Sequence, residues 1–183
     1  MSSRGRKNHP EEGQIPVVSR PSIPSIYGIP KTLDGLLDWS HVTRRMLEAR
    51  VYWVTTVSSP PRPHATPVDG IWFHETLHFG GSTESKWQRN LARNSAVCIH
   101  LESGTDVVTL HGDAENVLHP KRSLTVFLAE ESQKKYAYGP PPEAYEGGGL
   151  FIFQPRLVLA WSQFPTDVTR FQFPGRGDAR AET

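Results

Sequence analysis

The sequence predicts a mainly β fold, a small antiparallel barrel of about six strands with peripheral helices. Runs rich in β-branched and aromatic residues come in pairs joined by short turn-forming connections, a pattern typical of hairpins. Segments with helical spacing of apolar residues are few, and they alternate with the strands too sparsely for a parallel doubly wound sheet. Hairpins closed into a barrel therefore fit the pattern best.

The first half of the chain predicts one helix and one hairpin. Apolar residues recur at about helical spacing over residues 33–50, which indicates an amphipathic helix. Residues 51–57 are β-branched and aromatic and predict a buried strand. Residues 65–73 are also strand-like but are broken by a proline and a glycine, as at an edge, a bulge or a barrel bend. A further strand begins at Leu77, and we expect it to pair with the broken strand.

The second half predicts another hairpin and two more helices. Trp87 and Leu91 mark one face of a short helix. Residues 95–102 then alternate between apolar and polar side chains, and residues 107–117 follow after a turn, so these two segments are expected to pair. A proline then stands at the expected first position of a helix over residues 120–136.

The last third of the chain predicts a loop and the final strands. Residues 139–149 concentrate prolines and glycines and indicate a long mobile loop. Residues 150–161 give the last strong strand, interrupted near its middle, and residues 169–173 form a candidate short edge strand. We therefore expect an extended or disordered N-terminal arm, one domain and a frayed tail, over residues 1–32, 33–173 and 174–183.

Composition limits the classes of partner and the compartment. The chain has 20 Lys and Arg against 19 Asp and Glu, so no general field attracts nucleic acid or an anionic membrane, and small molecules are the expected partners. Cys98 is the only cysteine, which excludes an internal disulfide and fits a reducing cytoplasm. The first residues are charged and polar, so we expect no signal peptide, and no apolar run of the sequence approaches the roughly 20 residues of a membrane helix. A cytoplasmic protein is the expectation.

The stretch over residues 77–94 says most about function. A short apolar strand runs into Gly80 and Gly81, and Lys86 follows in the first turn of the predicted helix. Glycines let a backbone approach a ligand closely, while a new helix presents unpaired N–H groups and the lysine adds a full charge. The stretch therefore predicts an anion site, such as a phosphate cradle. An ordinary exposed lysine and a plain strand end are the alternatives that the residues alone leave open.

Motifs along residues 38–173 follow one order: Trp53, Thr55 and Thr56, then Arg62 to Thr66 and Pro67, the turn from Phe79 to Lys86, Asn90 and Leu91, and finally Pro155 to Trp161. In this order they resemble the pyridoxamine 5'-phosphate oxidase-like split-barrel family. The resemblance implies a six-stranded antiparallel split β-barrel and a homodimer. It further implies that FMN, or in some branches the deazaflavin coenzyme F-420, lies in grooves between the subunits. Some relatives bind haem, and some have no known turnover.

The resemblance also implies which residues would hold the cofactor. Its phosphate would be met by Lys86 with Ser82 or Ser85. The path of the cofactor would be lined by Phe79, Gly80 and Gly81. Its isoalloxazine or ribityl portion would lie along Thr66, Pro67 and Val68, with Trp161 as a wall of the pocket. We expect no metal site, because the eight histidines lack the tight spacing of a zinc motif.

Two departures from the family pattern argue against oxidation of vitamin B6. Position 85 is a serine where the type enzymes tend to place an arginine before the turn lysine, and Glu84 adds a negative charge beside the expected phosphate. The C-terminal tail has arginines but lacks the histidine of the substrate-binding pair. The sequence therefore favours an FMN-dependent oxidoreductase that exchanges a hydride with a small organic substrate. The alternatives are an F-420-dependent reductase and a non-catalytic flavin- or haem-binding protein.

Overall fold

The computed structural model describes residues 15–175, and in this range it contains nine strands and three α-helices. The strands are β1 Val17–Ser19, β2 Tyr52–Val57, β3 Pro63–Val68, β4 Gly70–Phe73, β5 Thr76–Gly80, β6 Ala96–His100, β7 Val107–Asn116, β8 Leu150–Trp161 and β9 Thr169–Gln172. The helices are α1 Trp39–Glu48, α2 Lys86–Leu91 and α3 Arg122–Tyr136, with 3₁₀ turns at Ser25–Tyr27 and Pro142–Tyr145. The predicted mainly β class with peripheral helices is thus confirmed, although the described residues form nine strands rather than the expected six.

All strand pairs are antiparallel, and the sheet branches at β8. Its main path runs in the order β1-β9-β8-β7-β6-β2-β3. The first half of β8 also pairs with β5, from Leu77 opposite Phe153 to Gly80 opposite Leu150, and β5 carries β4 on its other edge. One edge of β8 therefore serves β5 and then β9, and this change of partner splits the barrel.

Both predicted hairpins are present, β4–β5 and β6–β7. The broken strand over residues 65–73 is two strands, β3 and β4, because the chain leaves the main sheet at Asp69 to pair with β5 instead. Strand β8 covers the predicted residues, and the expected interruption near its middle is a β-bulge in which Arg156 is the extra residue. On β7, His111 pairs with Leu157 and the next residue, Gly112, pairs with Pro155, and a Cβ on Gly112 would collide with the carbonyl of Gln154.

The core has two parts. The larger lies inside the barrel and includes the fully buried side chains of Tyr52, Ile99, Leu110 and Phe153, joined by residues of α1 and α2. The smaller lies between the β4–β5 hairpin and α3, where Ile71, Leu128, Tyr145 and Leu150 pack together. Full burial of such side chains contributes about 1.5 to 3 kcal/mol each, so the barrel interior supplies most of the stability.

The described part of the expected N-terminal arm is attached to the sheet. Strand β1 pairs with β9, so β9 is not an edge strand. The guanidinium of Arg20 donates hydrogen bonds to the carbonyls of Thr166 and Val168 at 2.9 and 3.0 Å. Residues 1–14 of the arm and 176–183 of the tail lie outside the described residues. The predicted helix over residues 33–50 begins only at Trp39, after Gly35 takes a left-handed φ of 74°.

The segment over residues 139–149 is packed rather than free. Its 3₁₀ turn carries Tyr145, which is only 9% exposed and whose hydroxyl lies 3.2 Å from the Ser132 hydroxyl on α3. Arg122 at the start of α3 forms an ion pair with Glu143 at 2.6 Å. The segment predicted to be a long mobile loop is thus packed against α3 through the buried ring of Tyr145. Among the described helices, none is both long and apolar enough to cross a membrane.

Candidate functional site

A cavity of about 440 Å³ lies between the β4–β5 hairpin, the start of α2 and the layer formed by α3 and residues 139–149. This volume is within the range of about 300 to 1,000 Å³ that small-molecule sites usually have. The walls come from the end of β3, from β5 and from α3 with the following segment, and they include Val68, Asp69, His78, Phe79, Gly80, Gly81, Trp87, Leu128, Ser132, Tyr136, Tyr138 and Tyr145. The cavity thus joins the predicted turn to the smaller part of the core.

Glycines bring two backbones together at one end of this cavity. The N–H of Gly81 donates to the carbonyl of Gly149 at 3.3 Å. A Cβ on Gly80 would lie 2.5 Å from that same carbonyl, so a side chain there would force the two segments apart. Packing against Gly149 is therefore sufficient to require glycine at position 80. It also fixes the direction in which the chain enters the turn.

The turn before α2 contains a buried hydroxyl without a partner. The Ser85 N–H donates to the Ser82 carbonyl at 2.9 Å, and the Glu84 N–H donates to the Ser82 hydroxyl at 3.2 Å. Ser85 occupies the N-cap position of α2 with an extended backbone, yet its side chain makes no capping hydrogen bond. Its Oγ is buried without a hydrogen-bond partner. An unpaired buried hydroxyl is costly, so this atom fits a site for an acceptor such as a phosphate oxygen.

Lys86 is the charged group at this turn. It is exposed at the first position of α2 and forms no ion pair with a carboxylate of the described residues. Glu84 is also exposed, and its backbone carbonyl accepts a hydrogen bond from the guanidinium of Arg89. An unpaired cation next to the Ser85 hydroxyl fits an anionic group, whereas the neighbouring Glu84 carboxylate reduces the net positive charge of the turn.

Helix α2 is held in place by two polar contacts that sequence reasoning did not assign to the site. The Asn90 amide donates to the Thr56 hydroxyl at 2.9 Å, and both side chains are buried. The Gln88 amide donates to the Gly81 carbonyl at 2.9 Å. Trp87 and Leu91 on the same helix pack into the barrel core. The start of α2, and with it Ser85 and Lys86, is therefore fixed relative to β2 and the cavity.

The structure brings half of the predicted site residues to the cavity. Pro67, Val68, Phe79, Gly80 and Gly81 all line it. Thr66 is half-buried on the same face of β3 as Val68, since the side chains of alternate residues share a face. The other predicted turn residues continue the chain from Gly81 but do not form the wall; they are Ser82, Ser85 and Lys86.

Trp161 is far from the site within one chain. It pairs with Val107 at the end of β8, whereas Leu150 at the start of β8 pairs with Gly80 of the turn. The strand spans Leu150–Trp161, so Trp161 lies eleven residue steps from the cavity-lining turn, and it is not among the residues that line the cavity. The structure therefore does not bring Trp161 to the cavity of its own chain.

His78 is the main residue of this site that sequence reasoning missed. It lies on β5, is 7% exposed and lines the cavity, and its Nδ1 has no hydrogen-bond partner. Burial lowers the pKa of His78 to about 4, and the backbone of Ile71 opposes this shift by a smaller amount. The ring is thus neutral at pH 7. The described residues contain no group of three or more metal-ligating side chains around it or elsewhere.

A network of tyrosines and one lysine lies on the α3 side, around the cavity-lining Gly70. The Tyr136 hydroxyl donates to the carbonyl of Gly70 at 2.8 Å and accepts from its N–H at 2.9 Å. The Lys135 ammonium donates to the Tyr52 hydroxyl at 2.7 Å. Burial, with a contribution from the charge of Arg50, lowers the pKa of Lys135 to about 8. These bonds fix Gly70, where the chain passes from β3 into β4.

Solved structures show which known fold this is, whereas neither a protein-family model nor a curated protein matches the chain. A candidate pyridoxamine 5'-phosphate oxidase from Listeria innocua superposes with a TM-score of 0.54 at 17% identity, covering 68% of this chain and 98% of that one. The chain has the pyridoxamine 5'-phosphate oxidase-like split-barrel fold. The sequence prediction of this fold is confirmed.

Two further proteins of this split-barrel fold are named for different cofactors. A protein described as an F420 reductase has a TM-score of 0.50 at 21% identity and covers 66% of this chain and 96% of its own. HutZ from Vibrio cholerae, described as a haem storage protein, has a TM-score of 0.50 at 18% identity and covers 64% of this chain and 89% of its own. The fold is thus shared by proteins named for different cofactors, and the likeness establishes fold alone.

Proposed function

We propose that this split-barrel protein binds FMN in a groove completed by a second copy of the chain and exchanges a hydride with a small organic substrate. The observation that carries the proposal is the pair formed by the buried, unpartnered Oγ of Ser85 and the unpaired Lys86, in the turn that follows the cavity-lining Gly81. A flavin accepts and returns hydride when it is bound, and the protein supplies position and electrostatics.

The residues of the turn would hold the phosphate. The Lys86 ammonium would neutralise one of its charges, and the Ser85 hydroxyl would donate the hydrogen bond that it lacks in the free chain. Ser82 keeps the turn in shape, because its carbonyl and hydroxyl each accept a backbone N–H. Asn90 and Gln88 would keep this geometry by anchoring α2.

The remaining predicted residues would line the path of the cofactor. Pro67, Val68, Phe79, Gly80 and Gly81 border the cavity, and Thr66 lies on the same face of β3 as Val68. Trp161 would have to come from the second copy, because it lies at the opposite end of β8 in its own chain. A homodimer is therefore part of the proposal, and a strictly monomeric protein would contradict it.

The deazaflavin F-420 is the second candidate cofactor, and Glu84 is the observation that favours it. The terminal phosphate of FMN is doubly charged. The turn offers it one lysine, Lys86, with the Glu84 carboxylate nearby, so its charge complementarity is weaker than that of a turn with two cations. The phosphate of F-420 is a diester and carries a single charge. In that case the protein would act as a reductase that takes reduced F-420 as a co-substrate. Non-catalytic binding of a flavin or of haem is the remaining alternative.

The test is the identity and affinity of the cofactor. The absorbance spectrum and mass of what copurifies separate FMN from haem, and titration with F-420 covers a deazaflavin lost during purification. We expect micromolar or tighter binding of FMN or F-420, and Lys86→Ala should weaken it about 10- to 100-fold, as for the loss of a charged hydrogen bond. Lys31→Ala, which removes an exposed lysine outside the cavity, is the matched control. If neither FMN nor F-420 binds to the chain, the proposal is overturned.

A further inference from the structure

The cavity has an inner part, under α3, that the phosphate turn does not use. This part is formed by His78 of β5, Leu128 and Ser132 of α3, and Tyr145 of the 3₁₀ turn. It lies on the opposite face of β5 from the barrel core, because Leu77 and Phe79 point into that core and His78 stands between them. It is therefore separate from the barrel interior.

Its polar side chains are already paired, apart from one. The hydroxyls of Ser132 and Tyr145 lie 3.2 Å apart, and the Tyr136 hydroxyl bonds to both backbone groups of Gly70. The Tyr138 hydroxyl donates to the carboxylate of Asp69. The exception is His78, whose side chain is more than nine-tenths buried and whose Nδ1 has no hydrogen-bond partner. A buried polar atom left in this state costs free energy that a bound molecule can recover.

The charge and shape of the walls define what could bind. Asp69 is the only charged side chain among the lining residues, and it already accepts the Tyr138 hydroxyl. Burial keeps the ring of His78 uncharged at neutral pH, so no cation lines the cavity to balance an anionic ligand. Aromatic rings contribute much of the wall, which favours a flat apolar body.

We propose that the inner part of the cavity binds a small uncharged aromatic molecule whose one polar group forms a hydrogen bond with His78. This molecule would be the substrate of the reaction described above, so its role as a substrate rests on the proposed function, whereas its binding does not. His78 then determines specificity, because a ligand without the polar group leaves the imidazole unpaired.

The test uses three probes of one shape and the purified full-length chain without added flavin. Toluene, p-cresol and p-toluate differ only in having no polar group, a hydroxyl or a carboxylate. We expect calorimetric titration at pH 7 to show p-cresol binding at least fivefold more tightly than toluene or p-toluate. His78→Leu should remove the preference for p-cresol over toluene, and His78→Gln should retain most of it. His111→Gln, on an exposed histidine of β7, is the control and should change nothing.

A second measurement covers the case in which His78→Leu does not fold. In the wild-type chain, nuclear Overhauser effects should connect the ring protons of p-cresol to the ring of Tyr145 or the methyl groups of Leu128, both in the inner part of the cavity. Equal affinities for the three probes, no binding, or contacts with other residues only would each overturn the inference. Failure of the chain to bind FMN or F-420 would contradict the proposed function but leave the p-cresol result unchanged, so the two failures are distinguishable.

Discussion

The interior of the barrel and the layer under α3 are built from different kinds of side chain. The barrel interior is packed with fully buried apolar residues such as Val54, Leu110 and Phe153. The layer under α3 combines four buried apolar or aromatic residues with His78, Ser132 and a network of tyrosines, and it encloses the cavity. The comparison shows that the barrel interior is packed for stability, while the layer under α3 tolerates the unpaired Nδ1 of His78 beside a cavity.

Truncation of one side chain in each region should give the largest difference. Phe153→Ala in the barrel should lower the free energy of unfolding by about 3 to 5 kcal/mol, since it leaves a cavity in a closely packed core. Leu128→Ala under α3 should cost only about 2 to 3 kcal/mol, because its side chain already borders an open space. Urea unfolding measures both values. Equal losses would show that the two regions are equally well packed.

The second prediction concerns the pH dependence of the free energy of unfolding, to which His78 in the layer under α3 contributes. Its pKa is lowered to about 4 in the folded chain, from an ordinary value of about 6.5, so between these values the unfolded state binds more protons. The folded state is therefore destabilised as the pH falls from 6.5 towards 4, by up to about 3 kcal/mol. Urea unfolding of the wild type and of His78→Leu at pH 7 and pH 4.5 measures this contribution. The same loss in both proteins would contradict it.

The smallest expected change in the free energy of unfolding concerns the turn of the β4–β5 hairpin, whose strands line the cavity. His74 and Glu75 form its two-residue turn with left-handed φ values of 46° and 58°. Side chains other than glycine are strained in this conformation. Glu75→Gly should therefore raise the free energy of unfolding by about 0.5 to 1 kcal/mol, whereas Thr76→Gly, within β5, should lower it. A destabilising Glu75→Gly would show that the carboxylate has a structural role.

The barrel could be predicted from the sequence because its signals are local. Residues 95–102 alternate between apolar and polar side chains, and this pattern gave β6 and its pairing with β7. The predicted bounds of the last strong strand coincide with β8. Strand β1 was missed because it is only three residues long and pairs through its backbone with a strand more than 150 positions away.

Only the part of the site in the turn over residues 80–86 could be predicted from the sequence. The glycines and Lys86 follow one another in sequence, and the structure places the glycines at the cavity as expected. His78 could not be recognised, because alternation along β5 assigns it to the outer face of the barrel. That face is buried by α3, which lies more than 40 residues later in the chain. The packing of Tyr145 against α3 depends on the same long-range contact.

The measurement that tests the central claim most directly is the ratio of the affinities for FMN and riboflavin, which differ by the phosphate alone. If Lys86 and Ser85 hold that phosphate, the wild-type chain should bind FMN about 10- to 100-fold more tightly than riboflavin, the preference expected of a charged hydrogen bond. Lys86→Ala should reduce this preference nearly to unity without changing the affinity for riboflavin. Equal affinities in the wild type, or a preference that survives Lys86→Ala, would contradict the assignment of this turn as the phosphate site.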